Sequence, residues 1–591
     1  MEYELTPERR RYIEAKGFSI LTACPGSGKT TSIAYKLGLL NDCNSYRVAC
    51  LSFTNNAVAE LIDTYERLHG LRVVFPHVVS TIDSFLSQYI VLPFWYLIPG
   101  LKQRPTIMDD TKDASLYERT YKGKDGKWHS GFYTRLTDEQ RQFYYSHKDK
   151  EYSIIGPESY CYGNLIIEAP EGNVVARHII NRRLNLGILT SEDVEYYSKC
   201  ILSQHPVIAH ALAKRFNYLI MDEAQDMSKI QFEIIQLLIN SGLQNVELVG
   251  DLRQSIYAWR NAYPEMFRKF LNDNKWNQLQ FIHNRRSTQT IIDQYNKIKE
   301  KQDPEIRSHK VQSLGLPIYV YHFDEGNEQK LIQHYINVCE SHNLHKRKII
   351  CRGTDQYKEL SGNEDARSCW KSSIPTLIIK SYDEFSRGDI AESIKTMKYV
   401  YSMINDKYKK NSTSNSGKNK FVSTFSSLEE NPLDTSKLLL FLRKLPSTTL
   451  SVEKWQSDVQ SLIEQHFNFD VGTIDFEIKQ RMDHCKMKDV KQTAVCDFFH
   501  IKFNPYASEV STVHKVKGLT FDACLVFLKQ NQSTNLSLEL FSNAKKLKER
   551  HRLLYVACSR PRPLLALAIP KSEPKEKIDK YINPGYLYIE I

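Results

Sequence analysis

No two cysteines in this sequence form a C-x-x-C pair; the twelve present are scattered singly. A disulfide framework or a zinc ribbon is therefore not expected. The nearest approach to a metal set, Cys485, Cys496 and His500, lacks the paired spacing of such sites. No uninterrupted apolar segment reaches the ~18 residues that a membrane span needs. The N-terminus, MEYELTPERRRYIEAKGF, is charged and has no apolar signal-peptide core. No internal sequence repeat is visible. These absences predict a reduced, cytoplasmic protein with no membrane partner.

What is present is a long chain of ordinary globular composition. At 591 residues it exceeds one core, which predicts roughly three to five structural units. Hydrophobic residues make up 41% and charged residues 25%, in the range of packed domains. The formal net charge of +11 suits a polyanionic partner without establishing one. One low-complexity tract, Lys409 to Ser427, is rich in Ser, Asn and Lys with no apolar period, and reads as a mobile loop.

The segment GFSILTACPGSGKTTSIAYKLGLL runs from an apolar strand through a Gly-rich turn into a helix. Its centre, ACPGSGKT, matches a phosphate-binding loop except that Ala23 takes the place of the first Gly. Gly26 and Gly28 permit backbone conformations in which successive N–H groups surround phosphate oxygens, at a helix N-terminus whose dipole favours anions. Lys29 can reach the β- and γ-phosphates, and Thr30 can place its hydroxyl on Mg²⁺. Ala23, Pro25, Gly26, Ser27, Gly28, Lys29, Thr30 and Thr31 are thus the candidate nucleotide-binding residues, with ATP and Mg²⁺ as the expected cofactors.

Such a loop needs a second, acidic site. FNYLIMDEAQD supplies it as an apolar strand, Tyr218 to Met221, ending in Asp222 and Glu223. Asp222 would hold Mg²⁺ through water, and Glu223 would polarise the attacking water as general base. A lone Asp-Glu pair is often only an acidic helix N-terminus. Here an apolar strand delivers the pair at the carboxyl end, where open α/β sheets bind ligands.

A third stretch, GDLRQSIYAWRNA, follows the apolar run VELV and sets Gln254, Tyr257, Trp259 and Arg260 within a few residues. In isolation, a Tyr-x-Trp at the end of a core strand reads as a cap on that core.

With these three segments the chain resembles the UvrD/Rep/PcrA-type superfamily 1 DNA helicases. The likeness extends in the expected order over most of the sequence. ACLSFTNNAVAEL is similar to motif Ia and VSTIDSFL to Ib; DEAQD matches motif II and GDLRQSIYAWRNA motif III; FIHNRRST, STVHKVKGLTFD and RLLYVACSRPR are similar to motifs IV, V and VI. The resemblance implies that Gln254 senses the γ-phosphate, while Phe53, Tyr257 and Trp259 offer flat faces to unpaired bases and Arg260 lies on the same track. Stacking of that kind tolerates any sequence. Thr54, Asn55, Thr81, Thr512 and His514 become candidates for phosphate-backbone contacts. Arg286 and Arg560 match the family's γ-phosphate arginines, supplied from the second motor domain.

The fold implied is α/β: two RecA-like parallel-sheet motor domains, each interrupted by a mainly helical insertion. Residues 1–92 and 205–282 would form the first motor domain, with 93–204 as inserted subdomain 1B. Residues 283–378 and 498–591 would form the second, with 379–497 as subdomain 2B. The first insertion carries Trp128, Phe143, Tyr144 and Tyr145 in a polar setting. About thirty residues follow Arg560, too few for the nuclease domain that RecB-type relatives carry there.

Several positions depart from the family pattern. Arg9 stands where a Gln reads the adenine, and Arg285 where a Tyr stacks on it. Thr520 replaces a Glu of motif V, Asp83 stands where motif Ib often has His, and Pro561 follows the finger arginine. The function implied is an ATP-dependent 3′-to-5′ translocase and DNA helicase, acting on single-stranded DNA or a duplex with a 3′ single-stranded tail, with repair among its candidate pathways. A weaker resemblance is to the helicase-like subunit of Gabija phage-defence systems. It implies a DNA-stimulated ATPase serving as motor or sensor beside a separate nuclease subunit. An RNA helicase of the Upf-like branch is disfavoured by the QSIYAWR form of motif III and by the placement of both insertions.

Overall fold

The computed structural model describes residues 3–43, 45–107, 184–257, 262–309, 315–361, 374–386, 435–467, 487–498, 509–532 and 534–591, with shorter stretches between them. The chain divides into two compact units: Met1–Leu316 with Leu540–Pro563, and Pro317–Glu539 with Leu564–Ile591.

The first unit is built on six parallel strands: β1 (Phe18–Ala23), β2 (Val48–Ser52), β3 (Val78–Thr81), β4 (Tyr218–Met221), β5 (Asn245–Gly250) and β6 (Asn277–Phe281), in the order β6-β1-β5-β4-β2-β3. Helices α1 (Pro7–Glu14), α2 (Lys29–Asp42), α3 (Asn55–His69), α4 (Ile82–Leu86), α5 (Ser191–Gln204), α6 (Pro206–Arg215), α7 (Lys229–Asn240), α8 (Pro264–Leu271), α9 (Gln289–Asn296) and α10 (Glu549–Cys558) complete it. The inner strands β2 and β4 read as apolar runs because both faces are covered, whereas the edge strand β6, NQLQF, is mostly exposed. Side chains of β1, β2, β4 and β5 alternate between two cores. Ile20, Leu51, Met221 and Leu248 pack on one face, and Leu21, Cys50, Ile220 and Val249 on the other.

Helix ends are fixed by side chains the sequence supplies locally. Ser228 and Gln231 form a capping box on α7, the Ser228 Oγ accepting from the Gln231 N–H at 3.1 Å. Gly70, at φ +67°, closes α3 in the left-handed conformation that glycine adopts without strain. Behind the phosphate-binding loop, α2 is anchored by a buried cation. Lys36 Nζ donates to the Tyr12 and Ala15 carbonyls, each at 2.8 Å, and pairs with the Glu247 carboxylate of β5, which also accepts from Tyr218. Removing one partner of such a pair typically costs ~3–5 kcal/mol, because the other charge is left buried.

Between β3 and α5 the described residues include two antiparallel strand pairs, Glu118–Lys122 with Trp128–Phe132 and Ser159–Tyr162 with Leu165–Glu168. Phe143, Tyr144 and Tyr145 lie outside the described residues.

The second unit contains another six-stranded sheet: β7 (Tyr319–Phe323), β8 (Arg347–Cys351), β9 (Val510–Thr512), β10 (Phe521–Phe527), β11 (Pro561–Pro570, entering from the first unit) and β12 (Leu587–Glu590), in the order β9-β8-β10-β11-β7-β12. A separate helical core in this unit gathers Trp370, Ile378, Phe441, Trp455 and Ile463, the two indoles 5.7 Å apart. The tract from Lys409 to Ser427, and Cys485 and His500, lie outside the described residues. Among the described residues no helix is long and apolar enough to cross a membrane, and no group of three or more His, Cys, Asp or Glu side chains is placed to hold a metal.

Candidate active site

The carboxyl ends of β1, β4 and β5 converge on one site in the first unit. The loop after β1 takes the conformation its glycines allow: Gly26 has φ +68° and Gly28 +83°, and Gly28 enters α2 with no side chain capping the first turn. The exposed N–H groups of that turn and the helix dipole make an anion cradle. Neither glycine has room for a side chain. A Cβ at Gly26 would meet Arg286 Cβ at 2.5 Å, and one at Gly28 would collide with the Arg9 guanidinium.

Lys29 opens α2 and turns toward β4. Its Nζ pairs with the Glu223 carboxylate and lies 3.5 Å from Asp222 Oδ1. Burial works to lower the Lys29 pKa, but Asp222 and Glu223 outweigh it, and the net shift is upward. Asp222 is pushed up by its burial and then by Glu223, against the pull of Lys29. Two carboxylates therefore share one ammonium in a largely buried site. Such an excess of buried negative charge is what a divalent cation offsets, and the Asp222 carboxylate with the Thr30 hydroxyl are hard oxygen donors of the type Mg²⁺ takes.

Glu223 itself sits at φ +55°, a left-handed conformation that costs a non-glycine residue of order 1–3 kcal/mol. Neighbours hold it there: Gln225 Nε2 donates to Glu223 Oε2 at 2.7 Å, while Gln225 Oε1 accepts from the Asp251 N–H at 3.0 Å. Gln225 thus ties the end of β4 to the turn after β5.

That turn carries Gln254, which is 6% exposed. Its Nε2 donates to Asp251 Oδ2 at 2.9 Å, and its Oε1 accepts from Arg560 Nη2 at 3.0 Å. Arg560 follows α10, 2% exposed, and also donates to the Val556 carbonyl and the Ser559 hydroxyl. Arg286 reaches the Ser559 carbonyl at 3.2 Å, with its own N–H held by Asn284 Oδ1. Burial, and next the Arg560 charge, push the Arg286 pKa down to about 9. Two guanidiniums crowded in this way have a surplus of positive charge that a phosphate group would relieve. Both arginines belong to the first unit, alongside Lys29 and Gln254.

Sequence reasoning missed the residues that hold these groups in place. Asp251 accepts from Gln254, from Tyr555 Oη at 3.3 Å and from the Arg253 N–H at 3.0 Å. Arg253 is buried over the Tyr555 ring at 4.9 Å. Asn284, Gln225 and Ser559 are likewise supporting groups. Their only signal was proximity to the motif residues.

The structure brings together part of the candidate nucleic-acid set. Phe53, after β2, and Tyr257, after β5, are stacked with centroids 5.7 Å apart and 24° between their planes. Thr54 caps α3 by accepting from the Ala57 N–H, with Asn55 as the first helical residue, and Thr81 caps α4 by accepting from Ser84. Trp259 and Arg260 lie outside the described residues. Thr512 and His514 belong to the second unit, where Thr512 precedes the short helix Val513–Val516. Arg9 donates to the Glu4 and Ser27 carbonyls, and Arg285 pairs with the Glu4 carboxylate.

Asp83 lies near a further carboxylate, Glu195, which accepts from Ser228 Oγ at 2.7 Å and Gln231 Nε2 at 2.6 Å. Burial, and next the Asp83 charge, push Glu195 up to about 8. Because the folded pKa is raised, the native state keeps a proton that the unfolded chain releases, so this group's contribution to stability falls as pH rises from about 5 to 8. Glu195→Gln should flatten the melting temperature against pH across that window. A wild-type slope in the variant would place the titration elsewhere.

Residues 5–275 match the family model of the UvrD/REP helicase N-terminal domain, and residues 403–572 that of the UvrD-like helicase C-terminal domain. The chain belongs to the UvrD/Rep helicase family. It is 24% identical to DNA helicase II of Haemophilus influenzae over 412 residues, covering 68% of this chain and 54% of that protein. It is 24% identical to the ATP-dependent DNA helicase Rep of Buchnera aphidicola over 411 residues (65% and 59%). Identity to the ATP-dependent DNA helicase PcrA of Staphylococcus aureus is 25% over 296 residues (48% and 38%). The chain thus spans about half the length of the curated relatives it matches. None of these relatives' names points to phage defence.

Proposed function

We propose that this UvrD-like chain hydrolyses ATP to drive 3′-to-5′ movement along single-stranded DNA and to open duplexes bearing a 3′ single-stranded tail. The observation that carries the reading is the meeting of Lys29, Asp222 and Glu223 at the glycine loop, with the Gln254–Arg560 hydrogen bond beside it. The loop N–H groups and Lys29 bind the phosphates, with Asp222 and Thr30 as the residues that would hold Mg²⁺. When bound, Mg²⁺ supplies charge neutralisation at the phosphate oxygens. Glu223 takes the proton of the attacking water on its carboxylate, and the two arginines meet charge on the transferring group.

The Lys29–Glu223 pair links phosphate entry to the base. The Lys29 ammonium has three donors, so an entering phosphate competes with Glu223 for it and loosens its hold on the base carboxylate.

The Gln254 side chain touches Arg560 through its oxygen, and Tyr257 follows three residues later against Phe53. This short path from the phosphate site to a stacked aromatic pair supports coupling of hydrolysis to a single strand. Phe53→Ala and Tyr257→Ala should each weaken binding of an oligothymidine by ~1–3 kcal/mol, the usual worth of one base–aromatic stack. A fluorescence-anisotropy titration reads this, and unchanged affinity in both variants would remove the pair from the strand path.

The deciding experiment for the function is unwinding of matched duplexes with a 3′ tail, a 5′ tail or blunt ends, with and without ATP. The expected result is ATP-dependent opening of the 3′-tailed substrate alone. Preference for the 5′-tailed duplex would reverse the polarity. ATP hydrolysis stimulated by RNA and not by DNA would overturn the substrate.

A further inference from the structure

The wall of the site beside Gly28 carries side chains that the hydrolytic chemistry does not use. Arg9 lies there, 5% exposed, donating through Nη2 to the Ser27 carbonyl at 3.2 Å and through Nη1 to the Glu4 carbonyl at 3.1 Å. Its guanidinium rests over the Tyr3 ring at 4.9 Å, and Tyr3 in turn stacks on Tyr35 with centroids 4.0 Å apart. Arg285 stands on the same side, its Cδ 3.9 Å from where a Gly28 Cβ would be. Arg285 Nη1 donates to the Glu4 carboxylate, which also meets His309 Nε2 at 3.0 Å. Hydrogen bonds from Arg285 and His309 hold the Glu4 carboxyl down at about 2, so it is ionised at any working pH.

This wall has more donors than acceptors. Arg9 Nε, Arg285 Nε and Arg285 Nη2 are buried without a hydrogen-bond partner among the described residues. A buried guanidinium N–H left unmade is costly, and a ligand bearing acceptors would relieve it. The side chain of Glu4, by contrast, is half-exposed and has lone pairs to spare.

We infer that Glu4 and Arg285 read the edge of the nucleobase and that the site takes guanine as well as adenine. This rests on the nucleotide-binding reading above. Lys29 meets Asp222 and Glu223 at the phosphate end, and Arg9 and Arg285 flank the neighbouring Gly28, within reach of the rest of a nucleotide seated on the loop. Guanine presents two adjacent donors, N1–H and the 2-amino group, to a carboxylate, and two acceptors, O6 and N7, to a guanidinium. Adenine presents one donor, the 6-amino group, with N7 as acceptor. A carboxylate accepts from either base and a guanidinium donates to either. Neither has the fixed donor-and-acceptor order with which a side-chain amide selects adenine.

The test is equilibrium competition of ATP, GTP, CTP and UTP against a fluorescent ADP analogue on the full chain, with and without Glu4→Gln. Wild-type affinities for ATP and GTP should agree within about tenfold. An amide offers one acceptor oxygen where the carboxylate offers two, so Glu4→Gln should weaken GTP at least about tenfold and ATP less than about threefold. A wild-type preference for ATP over GTP greater than about a hundredfold would overturn the inference while leaving the nucleotide reading intact. Equal weakening of both nucleotides by Glu4→Gln would also overturn it, assigning Glu4 to loop support. If no nucleotide displaced the probe, the nucleotide-binding reading itself would fail.

Discussion

Glu223→Gln should lower ATP turnover by ~10²–10⁴-fold, the usual contribution of a general base, while nucleotide binding survives. The two properties separate because different groups carry them. In the proposed reading phosphate binding draws on the loop N–H groups, Lys29 and Asp222, all of which remain in the variant, with Lys29 losing only its pairing to the Glu223 charge. Proton abstraction needs the carboxylate, and Gln cannot accept a proton at neutral pH. Gln also fills the same volume and keeps an oxygen for the Gln225 Nε2 contact now made at 2.7 Å. Removing a charge from the crowded Asp222–Glu223 pair relieves repulsion, so binding of the anionic nucleotide should hold or tighten. Lys29→Ala is the contrasting variant: it removes the ammonium that faces both carboxylates and should abolish binding and turnover together. Single-turnover hydrolysis with an equilibrium binding titration distinguishes the two. A Glu223→Gln enzyme retaining more than about a tenth of the wild-type rate would transfer the base role to another group.

The two pictures, from sequence and from structure, differ in kind at each level. Local chemistry was legible. ACPGSGKT announces its loop because only Gly26 and Gly28 can take positive φ there, and the structure has them at +68° and +83°. The parallel sheets were legible too, since runs such as YLIM and VACLS are apolar without alternation, as strands covered on both faces must be. The supporting network was not. Asp251 looks like an ordinary turn residue, and its role arises from Gln254, Tyr555 and Arg253 meeting it, one of them from some 300 positions away in sequence. Lys36 reads as one polar residue on an amphipathic helix, yet it is buried because Glu247 waits on the adjoining strand. Arg9 and Arg285 were recognisable as departures from the family pattern. That they share Glu4 depends on how the first residues of the chain fold over the loop, which no periodicity encodes.

Arg560→Lys should reduce kcat by ~10³-fold or more, close to the loss from Arg560→Ala. The reason lies in geometry more than charge. Arg560 spends Nε on the Val556 carbonyl and Nη2 on both Ser559 Oγ and Gln254 Oε1, so three acceptors orient one planar fork. A lysine ammonium keeps the charge but is a compact point at the end of a flexible stem and cannot satisfy acceptors placed around a plane. It would leave buried acceptors unpaired, each costing ~1–3 kcal/mol, and would no longer hold Gln254 in register. Stability therefore has to be measured beside activity. The expectation is a kcat loss larger than any fall in melting temperature explains, with the nucleotide KM changing far less. Gln254→Ala should reproduce part of that loss, and the Arg560→Lys, Gln254→Ala double variant should lose less than the two single losses combined, because one hydrogen bond is counted in both. If Arg560→Lys kept more than about a tenth of the wild-type kcat, the fork would be a structural tie between α10 and the turn after β5, and Arg286 would be left as the phosphate ligand.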